Sequence, residues 1–203
     1  MFKKLAPASS AKSAALSAIA LAALLAGTTA QAFPAAPGAC SAGSLTATFT
    51  NLSTASYTAC SGAWVGNVNQ SSAAAASAQI LGDFGLTASF FGKSDDAGNG
   101  PFTSNPGATS GTLTFDSAQL GFFVIGLKSS TNFSLYEFNG GSVGISSITF
   151  NTLGVAVNKN GKSQDLSHAA LFAITPVPEP ESYALMLAGL AAIGFVARRR
   201  HNA

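Results

Sequence analysis

Charged side chains are scarce in this sequence: Asp, Glu, Lys and Arg make up only 9% of its 203 residues. Six of the ten basic residues lie in the first 12 or the last six positions. The stretch between them, residues 33–175, has four lysines and six acidic residues, which gives a net charge of −2. A protein that binds nucleic acid needs a basic patch or stripe on its surface. The composition therefore excludes nucleic acid as a partner.

Histidine and paired cysteine motifs are equally rare. The chain has two histidines, His168 and His201, and no C-x-x-C pair. Zinc sites in proteins are built from clustered cysteine and histidine ligands at short spacings. We therefore expect neither a metal centre nor a cofactor in this protein.

The first 32 residues have the pattern of a secretory signal peptide. Three lysines precede or border an uncharged apolar run at positions 14–26, and Ala30 and Ala32 form an A-x-A cleavage site. The pattern predicts that signal peptidase removes residues 1–32 during export and that the mature chain begins at Phe33. An uncleaved N-terminal anchor helix is the alternative.

Export decides the state of the two cysteines, Cys40 and Cys60. Exported proteins mature in an oxidising compartment, where an isolated even pair of cysteines forms a disulfide. We therefore predict one disulfide between them.

The stretch 33–175 is predicted to be one β-rich exported domain, the ectodomain. Apolar and polar residues alternate or form short apolar runs over 45–50, 112–115, 122–127, 133–138, 145–150, 155–157 and 170–174. Turn residues separate these short strands, which is typical of a β-sandwich or jelly-roll-like fold. Only residues 71–81, with four successive alanines, favour a helix, and residues 93–111 are predicted to be a long loop.

The last 28 residues, 176–203, combine three features in a fixed order. Val177, Pro178, Glu179 and Pro180 come first, an uncharged apolar run covers 183–197, and Arg198, Arg199 and Arg200 follow. The two prolines hold the first segment extended. As a helix the apolar run would be about 22 Å long, which is short against a hydrocarbon core of about 30 Å. The arginines would hold its end on the cytoplasmic side of a membrane.

This tripartite tail resembles the PEP-CTERM sorting signal of exported proteins of Gram-negative bacteria. The resemblance implies that exosortase, a membrane-embedded enzyme, processes the chain near Pro178–Pro180. It also implies a transient inner-membrane anchor, a final location at the cell surface or outside the cell, and a structural or binding role in an extracellular matrix with exopolysaccharide. The paired cysteines and the strand at 133–138 look like other ectodomains of this family. An ordinary C-terminal membrane anchor is the alternative to a sorting tail.

One motif points to a different class, a secreted serine hydrolase. Gly140-Gly141-Ser142-Val143-Gly144 fits the G-x-S-x-G nucleophile motif, and Asp165 and His168 follow in the order of a catalytic triad. The motif requires a turn from a strand into a helix, whereas another β pattern follows Ser142. The sequence therefore favours a hairpin turn and a protein that is not an enzyme.

A sugar-binding or calcium-binding module is a further alternative. The run Asp95-Asp96-Ala97-Gly98-Asn99-Gly100 is similar to a calcium loop but has Ala97 at a ligand position. Sugar could stack on loop aromatics, for which the candidates are Tyr57, Trp64, Phe102 and Tyr136.

Overall fold

The computed structural model describes residues 33–34, 39–175, 186–190 and 193. The predicted signal peptide with Ala30 and Ala32, the motif at 177–180 and the arginines at 198–200 lie outside the described residues. Of the predicted helix at 183–197, residues 186–190 and 193 are described, and they are helical and exposed.

The described part of the ectodomain contains nine strands and one α-helix. In chain order they are β1 Leu45–Phe49, β2 Thr54–Ser56, β3 Ala59–Val65, α1 Ala73–Phe84, β4 Ala88–Lys93, β5 Ser110–Gln119, β6 Phe122–Ser129, β7 Asn132–Asn139, β8 Ile145–Asn151 and β9 Leu166–Ile174. The strands form two antiparallel sheets, one in the order β2-β1-β8-β5 and the other in the order β3-β7-β6-β9-β4.

The two sheets pack face to face around a shared hydrophobic core. Alternate residues of β5 and β6 meet there, and the rings of Phe115 and Phe123 make a T-shaped contact with centroids 5.7 Å apart. Phe123 also stacks on Phe138 of β7 at 5.7 Å. Such a layer of interdigitating side chains is what holds a β-sandwich together.

The five-stranded sheet is buried on its second face as well. Helix α1 covers that face with Ala76 and Ile80, which pack with Val124, Phe133 and other residues of the sheet. The central strands β6, β7 and β9 are therefore apolar on both faces, which explains why their sequences are dense apolar runs.

Local signals fix the ends of α1. The side chain of Asn69 accepts a hydrogen bond from the N–H of Ser72, whose side chain binds the Asn69 N–H in return. This capping box begins a short 3₁₀ turn at Gln70–Ser72 that leads directly into the alanine run of α1. Gly85 ends the helix in the left-handed conformation that glycine adopts most readily. The helix predicted at 71–81 is thus confirmed, three residues longer at its C-terminal end.

Most of the predicted strands are confirmed, and one is wrong. Residues 45–50, 112–115, 122–127, 133–138, 145–150 and 170–174 all lie in β1 or β5–β9, apart from residue 50. Residues 155–157 form a turn and a single bridge from Val157 to Ser163 instead of a strand. Val155 and Ala156 are nevertheless buried, so the apolar run reflects burial without regular strand pairing.

Cys40 and Cys60 form the predicted disulfide, with their Cα atoms 5.9 Å apart. The bond ties the 3₁₀ turn at Cys40–Ala42 to β3, an edge strand of the five-stranded sheet. The hydroxyl of Tyr136, on the neighbouring strand β7, donates a hydrogen bond to the carbonyl of Cys40 at 3.2 Å. Burial raises the pKa of Tyr136, so this hydroxyl keeps its proton and remains a donor.

Candidate functional site

A cleft of about 330 Å³ opens along one side of the ectodomain, between the edge strands of the two sheets. Strand β4 forms one wall and β5 the other, while β9 forms the floor. Its lining consists of Phe91, Gly100, Pro101, Asp116, Ser117, Gln119, Leu171 and Ala173. We call this the edge cleft.

Both walls of the edge cleft are irregular at the residues that line it. The register between β4 and β9 shifts after Phe90, so Phe91 has no partner on β9. The register between β5 and β8 shifts between Thr114 and Gln119, which leaves Asp116 and Ser117 unpaired with β8. A β-bulge bends a strand and re-aims its side chains, and bulges are common beside binding sites. The two bulges place an aromatic ring and a carboxylate on opposite walls of one cleft.

The segment 100–103 closes one end of the edge cleft. It runs beside β5, where the N–H of Asp116 donates to the carbonyl of Pro101 at 3.1 Å and the N–H of Thr103 donates to Thr114. Gly100 has φ +58°, and a Cβ there would lie 2.5 Å from the carbonyl oxygen of Lys93. Only glycine therefore allows the loop to turn this closely against β4.

The edge cleft combines an apolar surface with hydrogen-bonding groups. Phe91 is 67% exposed, and the floor residues Leu171 and Ala173 are apolar. The polar residues Asp116, Ser117 and Gln119 line the opposite wall, where the amide of Gln119 donates to the carbonyl of Ser117. A ring-shaped polyol such as a sugar offers an apolar face to stack on an aromatic ring and hydroxyls that a carboxylate can bind.

A second feature that bears on function is the C-terminal tail. Residues 176–200 match the family model of the PEP-CTERM protein-sorting motif. This chain carries a PEP-CTERM sorting signal. The PEP-CTERM signal implies that the protein is exported, processed by exosortase, and located at the cell surface or outside the cell. Comparison of the chain with curated proteins and with solved structures found no match.

The PEP-CTERM match includes Val177, Pro178, Glu179 and Pro180 together with the three arginines at 198–200. Among the described residues, no helix is both long enough and apolar enough to cross a bilayer.

The three residues of the hypothetical hydrolase triad are not brought together. Ser142 lies in the turn between β7 and β8, next to the turn that precedes β6 at Phe122. His168 pairs with Lys128, six residues further along β6 than Phe122, which corresponds to about 20 Å. Ser142 is therefore on a hairpin turn at one end of the sheet, while Asp165 and His168 are at the other.

His168 is instead a buried member of a partly exposed cluster of ionisable side chains on the helix-covered face of the sheet. Its Nε2 lies 3.1 Å from the carbonyl oxygen of Val68, and its Nδ1 lies 3.6 Å from a carboxylate oxygen of Asp95. Lys128, its neighbour on β6, is also buried and donates to the carbonyl of Ser130. Burial lowers the pKa of both His168 and Lys128.

The calcium-like run is part of the same cluster. The ammonium of Lys93 lies 2.6 Å from Asp95 and 3.1 Å from Asp96, and the backbone N–H of Lys93 also donates to Asp96. The hydrogen bond that Lys93 donates to Asp95 raises the pKa of Lys93, which therefore stays charged. A lysine thus occupies the carboxylates that a calcium ion would need. Within the described part of the chain, no group of three or more His, Cys, Asp or Glu side chains is placed to hold a metal ion.

The cluster predicts a pH dependence of stability. Because burial holds the pKa of folded His168 below its ordinary value of about 6.5, the unfolded chain binds a proton that the folded chain does not. The free energy of unfolding should therefore fall as the pH drops below about 6.5. The negative charge of Asp95 partly offsets the lowering of the His168 pKa, whereas the positive charges of Lys93 and Lys128 add to it. Urea denaturation at several pH values between about 7.5 and about 5.5 measures how the free energy of unfolding changes with pH.

In the variant His168→Gln the free energy of unfolding should depend less on pH over that range, because no other histidine lies between residues 33 and 175. A wild-type protein that becomes more stable on acidification would contradict the prediction and show that the attraction of Asp95 for the protonated ring outweighs burial.

The aromatic residues proposed from the sequence are not the ones that line the edge cleft. Phe102 and Tyr136 are fully buried, and Tyr57 and Trp64 are partly buried against the two cores. Sequence reasoning missed Phe91 and Asp116. The doublet Phe90-Phe91 was the available signal, since two successive phenylalanines in one strand place one ring on each face.

Proposed function

We propose that this protein is an exported precursor whose ectodomain becomes a non-catalytic, glycan-binding component of the extracellular matrix. In this proposal signal peptidase removes residues 1–32, and the run at 183–197 holds the precursor in the inner membrane with Arg198–Arg200 in the cytoplasm. Exosortase then cleaves near Pro178–Pro180 and releases the domain to the surface. The match of residues 176–200 to the sorting motif is the observation that carries the proposal.

The edge cleft supports the glycan-binding part of the proposal. Phe91 is a large apolar side chain left exposed at a bulge, where burial cannot explain its presence. The polar wall at Asp116, Ser117 and Gln119 faces it across the cleft. The low net charge of residues 33–175 suits a neutral or weakly charged exopolysaccharide, because neither partner then repels the other.

We predict that Phe91→Ala weakens binding of the host's own purified exopolysaccharide about tenfold, since a central aromatic contact typically contributes about 1–2 kcal/mol or more. Asp116→Asn should weaken it as well, by removing the charge from hydrogen bonds to sugar hydroxyls. Binding is measured by retention of the processed protein on immobilised polysaccharide.

Phe122→Ala is the matched control, because Phe122 is 46% exposed but lies outside the edge cleft. Equal retention of the wild type, Phe91→Ala and Phe122→Ala would show that the edge cleft does not bind the polysaccharide. Equal loss in both variants would indicate non-specific adsorption by exposed phenylalanines.

A further inference from the structure

The chain leaves the ectodomain at one defined end, which we call the exit end. Strand β9 finishes there at Ile174, and Thr175 is held by a hydrogen bond from its N–H to the carbonyl of Thr87 at 2.9 Å. Ala173 pairs with Phe123 near the start of β6, so the exit end is also the end where β6 begins. The sorting motif starts directly after it, at residue 176.

Three turns lie side by side at the exit end and are joined by hydrogen bonds. They are the β1–β2 turn at 50–53, the β5–β6 turn at 120–121 and the β7–β8 turn at 140–144. The N–H of Thr50 donates to Gly144 at 3.0 Å, and its hydroxyl donates to Val143 at 2.8 Å. Gly121 donates to Gly141, and Gly140 donates back to Gly121. The three turns therefore form one fixed surface.

Each of the three turns presents an exposed aliphatic side chain. Leu52 is 83% exposed, Leu120 is 62% exposed and Val143 is 44% exposed, and Phe122 beside them is 46% exposed. None of the three turns contains a charged residue. Turn tips in soluble proteins are usually polar, because exposing apolar side chains to water is unfavourable. Uncharged apolar tips on adjacent turns indicate a surface that meets something apolar.

The opposite end of the ectodomain differs in charge. Its loop between β8 and β9 also exposes Leu153 and Val157, but that loop carries Lys159, Lys162 and Asp165. The three uncharged turns thus lie at the end from which the tail leaves.

The length of the connecting segment keeps the exit end close to the anchor. Seven residues, 176–182, separate the ectodomain from the apolar run at 183. Fully extended, they span at most about 25 Å. If the run enters the bilayer, the exit end lies within that distance of the entry point.

We infer that the exit end rests on the phospholipid surface of the inner membrane while the precursor is anchored, with Leu52, Leu120 and Val143 inserted among the headgroups. This inference rests on the proposed function, in which the tail at 183–197 enters the bilayer. Small aliphatic tips without a groove or a charge suit the lipid interface, whereas a protein partner would need a surface with specific pockets.

The contact would fix the height of the sorting motif above the bilayer. With the ectodomain seated on the lipid, residues 176–182 would be held beside the headgroups, within reach of a membrane-embedded enzyme. Three aliphatic side chains bury too little apolar area to hold a protein on a membrane by themselves. Cleavage of the tail would therefore release the ectodomain from the surface.

Depth-dependent quenching tests the inference on the full chain. The single-cysteine variants Leu52→Cys, Leu120→Cys and Val143→Cys each provide one free thiol, because Cys40 and Cys60 are joined in the disulfide. Each variant is labelled with an environment-sensitive fluorophore and reconstituted into vesicles of phosphatidylethanolamine and phosphatidylglycerol that contain a spin-labelled lipid. Asn160→Cys labels the opposite end, and Leu190→Cys labels the tail.

We expect strong quenching at the three exit-end positions and at Leu190, and none at Asn160. Quenching at Leu190 alone would overturn the inference, leave the membrane anchor intact and point to a protein contact for the apolar tips. The absence of quenching at Leu190 would overturn the proposed anchor itself. Equal quenching at Asn160 and the exit end would show that the ectodomain has no preferred orientation, which also overturns the inference.

Discussion

Replacing Phe138 by alanine is expected to lower the free energy of unfolding by about 3–5 kcal/mol, the usual cost of removing a fully buried phenylalanine side chain. Phe138 is 1% exposed and stacks on Phe123 in the core between the two sheets. A cavity there cannot be filled by rearrangement of one side chain, because both sheets contribute rigid neighbours. Urea denaturation monitored by circular dichroism measures the loss.

Phe172→Ala should lower the free energy of unfolding by a similar amount, because it removes a ring from the other core of the domain. Phe172 is fully buried on the opposite face of the same sheet, where it makes a T-shaped contact with Phe90 in the core under α1. If only one of these two faces were a true core, only one of the two substitutions would be strongly destabilising.

Phe91→Ala is the matched control for both substitutions. It removes the same side chain one residue from Phe90, but Phe91 is 67% exposed, so the change in stability should stay within about 0.5 kcal/mol. A loss at Phe91 as large as that at Phe138 would mean that the edge cleft is closed in solution and that Phe91 is buried there.

The existence of the strands could be predicted because a half-buried strand shows its period of two in the sequence. Alternation in residues 133–138 located β7 correctly. It could not show that both faces of β7 are buried, since Leu135 packs towards α1 and Tyr136 packs between the sheets. The second core depends on a helix from a distant part of the chain, which no local pattern reports.

Three strands were missed. Strand β4, Ala88–Lys93, contains two phenylalanines, but a bulge after Phe90 interrupts its pairing with β9. The other two are short or built from small residues. Strand β3, Ala59–Val65, contains alanine, serine and glycine and owes its place to pairing with β7 and to the disulfide at Cys60. Strand β2 has three exposed residues and forms only by pairing with β1. Pairing with other strands determines that these segments are extended, so the strand propensity of their own residues predicts little.

The doublet Phe90-Phe91 could have indicated one exposed ring, but the edge cleft as a whole could not be predicted, because both of its walls are irregular strands. The bulge at Phe91 adds one residue to β4 relative to β9, and the register shift around Asp116 adds three residues to β5 relative to β8, so the period of two fails in both walls. The sorting signal was predictable for the opposite reason. Pro178 and Pro180 act on their own backbone, and the apolar run and the arginines act through composition, so none of them depends on the rest of the fold.

Glu179→Ala is expected to abolish processing of the tail while leaving export and membrane insertion unchanged. The apolar run at 183–197 and Arg198–Arg200 are untouched by this change, so the forces that insert and orient the tail stay the same. The substitution removes the one charged group between Pro178 and Pro180 that an enzyme can recognise. Fractionation of the native host followed by mass spectrometry of the C-terminus should find the variant in the membrane with its tail intact through Ala203.

Glu181→Ala is the matched control, because it removes the same side chain two residues further on, outside the Pro-Glu-Pro core. Its processing should equal that of the wild type, since both prolines and Glu179 remain in place to present the cleavage segment. Replacing Arg198–Arg200 with neutral residues should act at a different step and let the tail slip through the membrane, because the charge asymmetry that holds it is lost. Wild-type protein that keeps its tail through Ala203 at its final location would refute the sorting mechanism and identify the tail as a permanent anchor.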